Sequence, residues 1–137
     1  MLHMTLLFLG NIPEARLDNL RQAAGRVAGA PFAMRFDRCA YWRHKQVAWT
    51  GCSEPPLPLL TLAGQLAERL TEEGLPIELR DFVAHVTLLR KARNAPLPEF
   101  ESFDWSVSDF VLAESKLLPQ GAQYSIIGRW PLKPDQV

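Results

Sequence analysis

A chain of 137 residues, 47% hydrophobic and 22% charged, is long enough for one domain with a sizeable core. Its formal net charge is zero, which excludes a global field drawing it onto nucleic acid or membrane, so an anionic substrate must be held locally. No apolar run approaches the ~20 residues that span a bilayer, and the N-terminus lacks the layout of a signal peptide. Cys39 and Cys52 match no disulfide or zinc framework and read as free thiols of a cytoplasmic protein.

In chain order, Leu2 to Leu9 reads as a strand closed by a Gly10-Asn11 turn. Pro13 and Glu14 suit the first turn of a helix in which Leu17, Leu20, Ala24 and Val27 recur at helical spacing, stopped by Gly29-Ala30-Pro31. Phe32, Met34 and Phe36 alternate as in a strand. An extended pair follows, Cys39 to Trp42 and Gln46 to Cys52, joined through Arg43-His44-Lys45. Pro55-Pro56-Leu57-Pro58 is linker-like but too short to separate domains. Leu59, Leu62, Ala63, Leu66 and Leu70 mark a second amphipathic helix, ended by Gly74 and Pro76. Phe82 to Arg90 is a strand, Lys91 to Pro98 a polar loop, and Trp105 to Leu117 one long strand. Pro119-Gln120-Gly121 then turns the chain into a last strand, Tyr124 to Trp130.

Hairpin-length connections between strands imply mostly antiparallel pairing. The expected fold is α+β: one domain over residues 1–137, with two pseudo-symmetric lobes of antiparallel sheet, helices outside and a cleft between.

The stretch that organises the chain is Phe82-Val83-Ala84-His85-Val86-Thr87-Leu88-Leu89-Arg90. Strand alternation brings His85 and Thr87 out on one side, where an imidazole and a hydroxyl among leucines and valines are costly to desolvate unless satisfied. The N-terminus repeats it, His3-Met4-Thr5-Leu6-Leu7 against His85-Val86-Thr87-Leu88-Leu89. A single strand histidine is more often a core residue than a catalyst, and Thr is by default a plain β-former. The matched pair changes that reading. Free imidazole titrates near 6.5, so of two such rings flanking a phosphate one can take a proton and the other give one, each role worth roughly 10² to 10⁴ in rate. Thr5 and Thr87 can donate to non-bridging oxygens, and Arg90 can reach them with a charged fork. The three histidines fit no common zinc spacing, so neither metal nor cofactor is assigned.

Tandem His-x-Thr motifs also mark the two-histidine (2H) phosphoesterases, and this chain resembles them over nearly its whole length. His3 to Gly10 and Phe82-x-x-His85-Val86-Thr87-Leu88-Leu89-Arg90 look like the bacterial RNA 2',3'-cyclic phosphodiesterases, long called 2'-5' RNA ligases. Val47-Ala48-Trp49-Thr50-Gly51 is similar to that family's central strand, and Glu114-Ser115 with Gly121-x-x-Tyr124 to its C-terminal hairpin. The resemblance implies opening of a 2',3'-cyclic phosphate at an RNA end to a 2'-phosphate. It makes His85 the general base, the proton acceptor, and His3 the general acid, the proton donor. The reverse attack by a 5'-hydroxyl gives ATP-independent 2'-5' ligation. Tyr124, foremost by family position, Trp42 and Phe8 are the candidate substrate contacts. Family members usually carry a further strand and helix before the first motif, which this chain lacks. A shortened start is therefore expected, or a monomer whose open N-terminal strand edge offers a place for dimer pairing.

Two other functions fit the same residues. One keeps the mechanism on a small cyclic phosphate, such as an ADP-ribose cyclic phosphate or a cyclic nucleotide. The other is a nucleotide-binding module without turnover. Length and salt dependence separate RNA from the small substrate.

Overall fold

The computed structural model describes residues 2–75, 77, 84–90 and 100–134, with the side chains of Leu89 and Arg90 outside that description. Pro13 opens one 3-10 turn, Glu14–Arg16, that runs into helix α1, Leu17–Gly25. Leu20, Ala23 and Ala24 are its buried stripe. The spacing that carries this helix through Val27 overreaches. Arg26 and Val27 donate back to the Ala23 and Ala24 carbonyls, a tight last turn beside Gly25, and glycine is among the poorest helix formers. Val27 keeps its place against the core without being helical.

Helix α2, Leu57–Glu72, starts on the proline run. Pro56 is its N-cap and Pro58 lies in the first turn, where a missing N–H leaves no bond unmade. It buries Leu59, Leu62, Leu66 and Leu70. Its end is a Schellman motif: the Leu75 N–H donates to the Leu70 carbonyl (3.1 Å) and the Gly74 N–H to Thr71 (2.9 Å). Gly74 takes the left-handed φ of 72° that this cap requires, and Leu70 and Leu75 close it inside one apolar cluster. Pro76 lies outside the described residues.

All the described strand pairs are antiparallel, in three sheets. Strand β1, Phe32–Phe36, pairs β5, Phe103–Val107. In the second sheet β3, Val47–Gly51, lies between β2, Arg38–Trp42, and β4, His85–Arg90. Strands β6, Asp109–Leu118, and β7, Gly121–Pro131, form a long hairpin. The α+β expectation with antiparallel sheets is met. Phe82, Val83 and the loop from Lys91 to Pro98 fall outside the described residues.

Two expected strands take another form. Trp105 to Leu117 is broken at Ser108, because β5 pairs β1 whereas β6 pairs β7. The Ser108 carbonyl is used instead by the Leu132 N–H, at 2.8 Å. Leu2 to Leu9 makes no strand: a single antiparallel bridge, Met4–Val86, ties it to β4. Leu6 and Leu7, adjacent in sequence, both pack against one apolar cluster, which the two-fold alternation of a strand forbids. Side-chain burial therefore sets the path of this segment. Leu6 reaches the cluster of Met34, Phe36, Cys52, Leu59, Ala84 and Val86, and Leu9 that of Leu20, Ala23, Leu70 and Leu75.

The junctions around β3 are tied by polar groups. The Asp37 N–H donates to the Gly51 carbonyl (3.1 Å), and the Ser53 N–H (2.8 Å) and hydroxyl donate to the Asp37 carboxylate. Those two Ser53 bonds, the hydroxyl's first, hold the Asp37 carboxyl below its ordinary range. Inside β3 all five residues are buried, as befits a central strand covered on both faces. No described helix is long and apolar enough to cross a membrane.

Candidate active site

The register of the second sheet gathers the polar motif residues on one side. Gly51 lies opposite His85, Thr50 opposite Val86, and Trp49 opposite Thr87. Directly opposed side chains share a face, so His85, Thr87 and Trp49 emerge together while Val86 and Thr50 point the other way. On β2, Arg38 lies opposite Gly51, Ala40 opposite Trp49 and Trp42 opposite Val47, which adds Arg38 and Trp42 to the histidine side. The Met4–Val86 bridge completes the set. Carried one residue each way, its antiparallel register sets His3 beside Thr87 and Thr5 beside His85. In that register positions 3 and 85 are diagonal neighbours. The other side is core, where Met4 packs against the cluster that holds Val86 and Cys52.

Aromatic rings brace both histidines. The hairpin β6–β7 delivers Tyr124, whose ring centroid is 4.8 Å from that of His3 at 56°. Trp42 stands 4.8 Å from His85, edge to face at 70°, and Trp49 stands 6.2 Å away at 77°. The two indoles meet at 4.8 Å. Lys45, from the turn after β2, lies over Trp42 (5.4 Å), and Arg38 over Trp49 (5.6 Å). Trp49 is 6% exposed, and its indole N–H is buried with no acceptor among the described residues.

Gly51 explains how Trp49 fits. A Cβ there would stand 2.7 Å from Trp49 Cζ3 and 2.8 Å from the Ala84 carbonyl oxygen, both too close. Only glycine lets the indole lie over its own strand beside His85.

Of the residues singled out from sequence, His85, Thr87 and Trp42 lie on one face of the second sheet, His3 packs against the ring of Tyr124, and Thr5 is exposed beside the Met4–Val86 bridge. Phe8 is 53% exposed, beyond the stretch the bridge aligns. The register pairs position 90 with Val47, while the Arg90 side chain lies outside the described residues. Arg43, His44 and Lys45, which join β2 to β3, form an exposed turn. Trp49 and Gly51 were legible as members of a strand similar to the family's central one, with no role assigned beside His85; a glycine two residues beyond a tryptophan was the available signal.

Comparison with known proteins gives the family and the fold. Residues 1–116 match the family model described as the 2'-5' RNA ligase superfamily. The RNA 2',3'-cyclic phosphodiesterase of Escherichia coli is 33% identical over 96% of this chain and 76% of its own. That of Thermus thermophilus is also 33% identical, over 96% and 72%. Among solved structures, Escherichia coli LigT in apo form superposes with a TM-score of 0.85 at 32% identity, covering 96% of this chain and 76% of LigT. LigT complexed with 3'-AMP superposes with a TM-score of 0.83, at 32% identity and the same coverage.

Proposed function

The chain belongs to the 2'-5' RNA ligase superfamily, and we propose that it opens 2',3'-cyclic phosphates at RNA ends to leave 2'-phosphates. His85 acts as general base and His3 as general acid. His85 takes a proton from water as the water oxygen attacks phosphorus. The bond from phosphorus to the 3' oxygen breaks, and His3 supplies the proton that this oxygen gains. The phosphate stays on the 2' oxygen. Thr5 and Thr87 donate their hydroxyl protons to non-bridging oxygens, and Arg90 adds charge there. Tyr124, whose ring packs against that of His3, contacts the substrate beside the acid in this reading. With an RNA 5'-hydroxyl in place of water as the nucleophile, the same steps join ends through a 2'-5' linkage without ATP.

The observation that supports this reading is the Met4–Val86 bridge, which ties the first His-x-Thr motif to the second. Proton transfer by two positioned imidazoles supplies the chemistry without a metal in the reaction. The test is phosphorus NMR of a short RNA ending in a 2',3'-cyclic phosphate, incubated with the protein in excess EDTA, beside His85→Ala. A 2'-monophosphate formed only by the unmutated chain is the expected result. A 3'-monophosphate, or turnover that stops in EDTA, would overturn the mechanism.

A further inference from the structure

We infer that Trp42 and Trp49 are positioning residues for His85, an aromatic wall that fixes the angle of its imidazole, with Gly51 as the gap in which the wall closes. The inference rests on the reading of His85 as a reacting group. Each strand of the second sheet contributes one ring, Trp42 from β2, Trp49 from β3 and His85 from β4, and all three contacts are made. The terminal torsion of a histidine has a broad minimum, so the backbone alone does not aim its ring nitrogens. Two indoles set at 70° and 77° to the imidazole supply that restraint.

The alternative for such rings is a platform on which a base stacks. The placement of the cations argues against it: Lys45 lies over Trp42, and Arg38 lies over the largely buried Trp49. The protein's own cations thus sit where a base would compete for the ring faces. The wall also has one side pressed against a position where only glycine fits, which restrains Trp49 from behind. A buried indole N–H without a described acceptor is a poor choice for stability alone, since an unmet donor costs free energy that an apolar ring avoids. A large flat surface beside His85 accounts for the indole.

The test compares kcat and KM on a dinucleotide with a 2',3'-cyclic phosphate end for the unmutated chain, Trp42→Leu and Trp42→Phe, with melting temperatures. Misaiming a reacting group by about 1 Å costs on the order of 10²-fold, so Trp42→Leu should lower kcat by about 10- to 100-fold with KM within about twofold. Trp42→Phe should recover most of that loss. A KM that rises while kcat holds, and rises more on longer RNA, would make Trp42 a stacking platform and overturn the inference. A lowered melting temperature with kcat intact would make the wall merely structural. Gly51→Ala, which keeps all three rings and displaces them, is the second variant should Trp42→Leu not fold. If the unmutated chain turns over no RNA, the proposed function fails by itself. The wall is then judged by nitrogen-15 NMR of the imidazoles, where Trp42→Leu should shift the His85 signals and leave those of His3 in place.

Discussion

Gly51→Ala is the substitution whose effect follows most directly from the structure. The new methyl carbon would lie 2.7 Å from Trp49 Cζ3 and 3.3 Å from Cε3 on one side, and 2.8 Å from the Ala84 carbonyl oxygen on the other. Reaching ordinary contact requires a retreat of about 0.7 Å by the ring or by the backbone, since repulsion climbs steeply inside that distance. Neither has room to spare. Trp49 is 6% exposed and packed against Trp42, and Ala84 is buried in the core immediately before His85. Overpacking of this kind costs about 1–3 kcal/mol. Either retreat also moves His85, through its ring neighbour or through its own backbone, so kcat should fall about 10- to 100-fold on the same misalignment scale. Urea unfolding gives the first quantity and single-turnover cleavage of a cyclic-phosphate RNA the second. An alanine variant as stable and as active as its parent would refute the reasoning. One that loses stability but keeps full activity would show that the strain is relieved away from His85.

Each of His3→Ala and His85→Ala should lower turnover by roughly 10² to 10⁴ with the circular-dichroism spectrum unchanged, and near-normal turnover in either would end the two-histidine mechanism. Asp37 is held below its ordinary 3.8 first by the Ser53 hydroxyl and then by the Ser53 amide, so its folded value lies under its unfolded one. The resulting stabilisation is complete above 3.8 and disappears as pH falls through the lowered value. Ser53→Ala should therefore raise the Asp37 titration in carbon-13 NMR, and an unmoved curve would exclude the hydroxyl as its cause. Burial, and then the Asp37 charge, push the Cys52 thiol above 9.0, whereas Cys39 is only half-buried. Ellman's reagent should label one thiol quickly in the native protein and the second only on unfolding, and equal rates for both would contradict the burial of Cys52.

What could be read from sequence followed from local periodicity, and what could not depended on partners. Leu59, Leu62, Leu66 and Leu70 announce α2 because a helix makes its own hydrogen bonds and only its buried stripe answers to the fold. The break at Ser108 is a matter of which strand lies alongside, and β1 and β7 are remote in sequence. A trace was there: Val107 and Phe110 lie on opposite parities, so one unbroken strand could not have turned both inward. The N-terminal stretch misleads for the opposite reason. Its His-x-Thr-Leu-Leu matches that of β4 residue for residue, yet Leu6 and Leu7 go to the core together and leave only Met4 paired. The Met4–Val86 bridge is what ties this motif to the second one. Tyr124 was identifiable by family position and Trp42 as a candidate substrate contact, but their ring contacts depend on the tertiary fold.

The second motif holds a further difficulty that the register resolves. In a regular strand His85 and Thr87 share a face, and position 90, an odd step from Thr87, belongs to the other, on the core side. Arg90 would then be misplaced for any anion held by the histidine side. The pairing of β3 with β4 is not regular. Thr87 opposes Trp49 and Leu89 opposes Ala48, so neighbouring residues of β3 face residues two apart on β4, and Leu88 is the extra residue of a bulge. Past the bulge the parity reverses, and position 90 falls opposite Val47, in the row that holds Trp42. A motif in which His85, Thr87 and Arg90 serve one phosphate needs such an irregularity between its second and third members. A deletion that removed Leu88 would restore the ladder and keep the hydrophobic character of β4, yet it would change which residue lies opposite Val47. The spacing of the three polar residues is therefore coupled to one bulge in β4, a constraint that composition and hydrophobic pattern leave unstated.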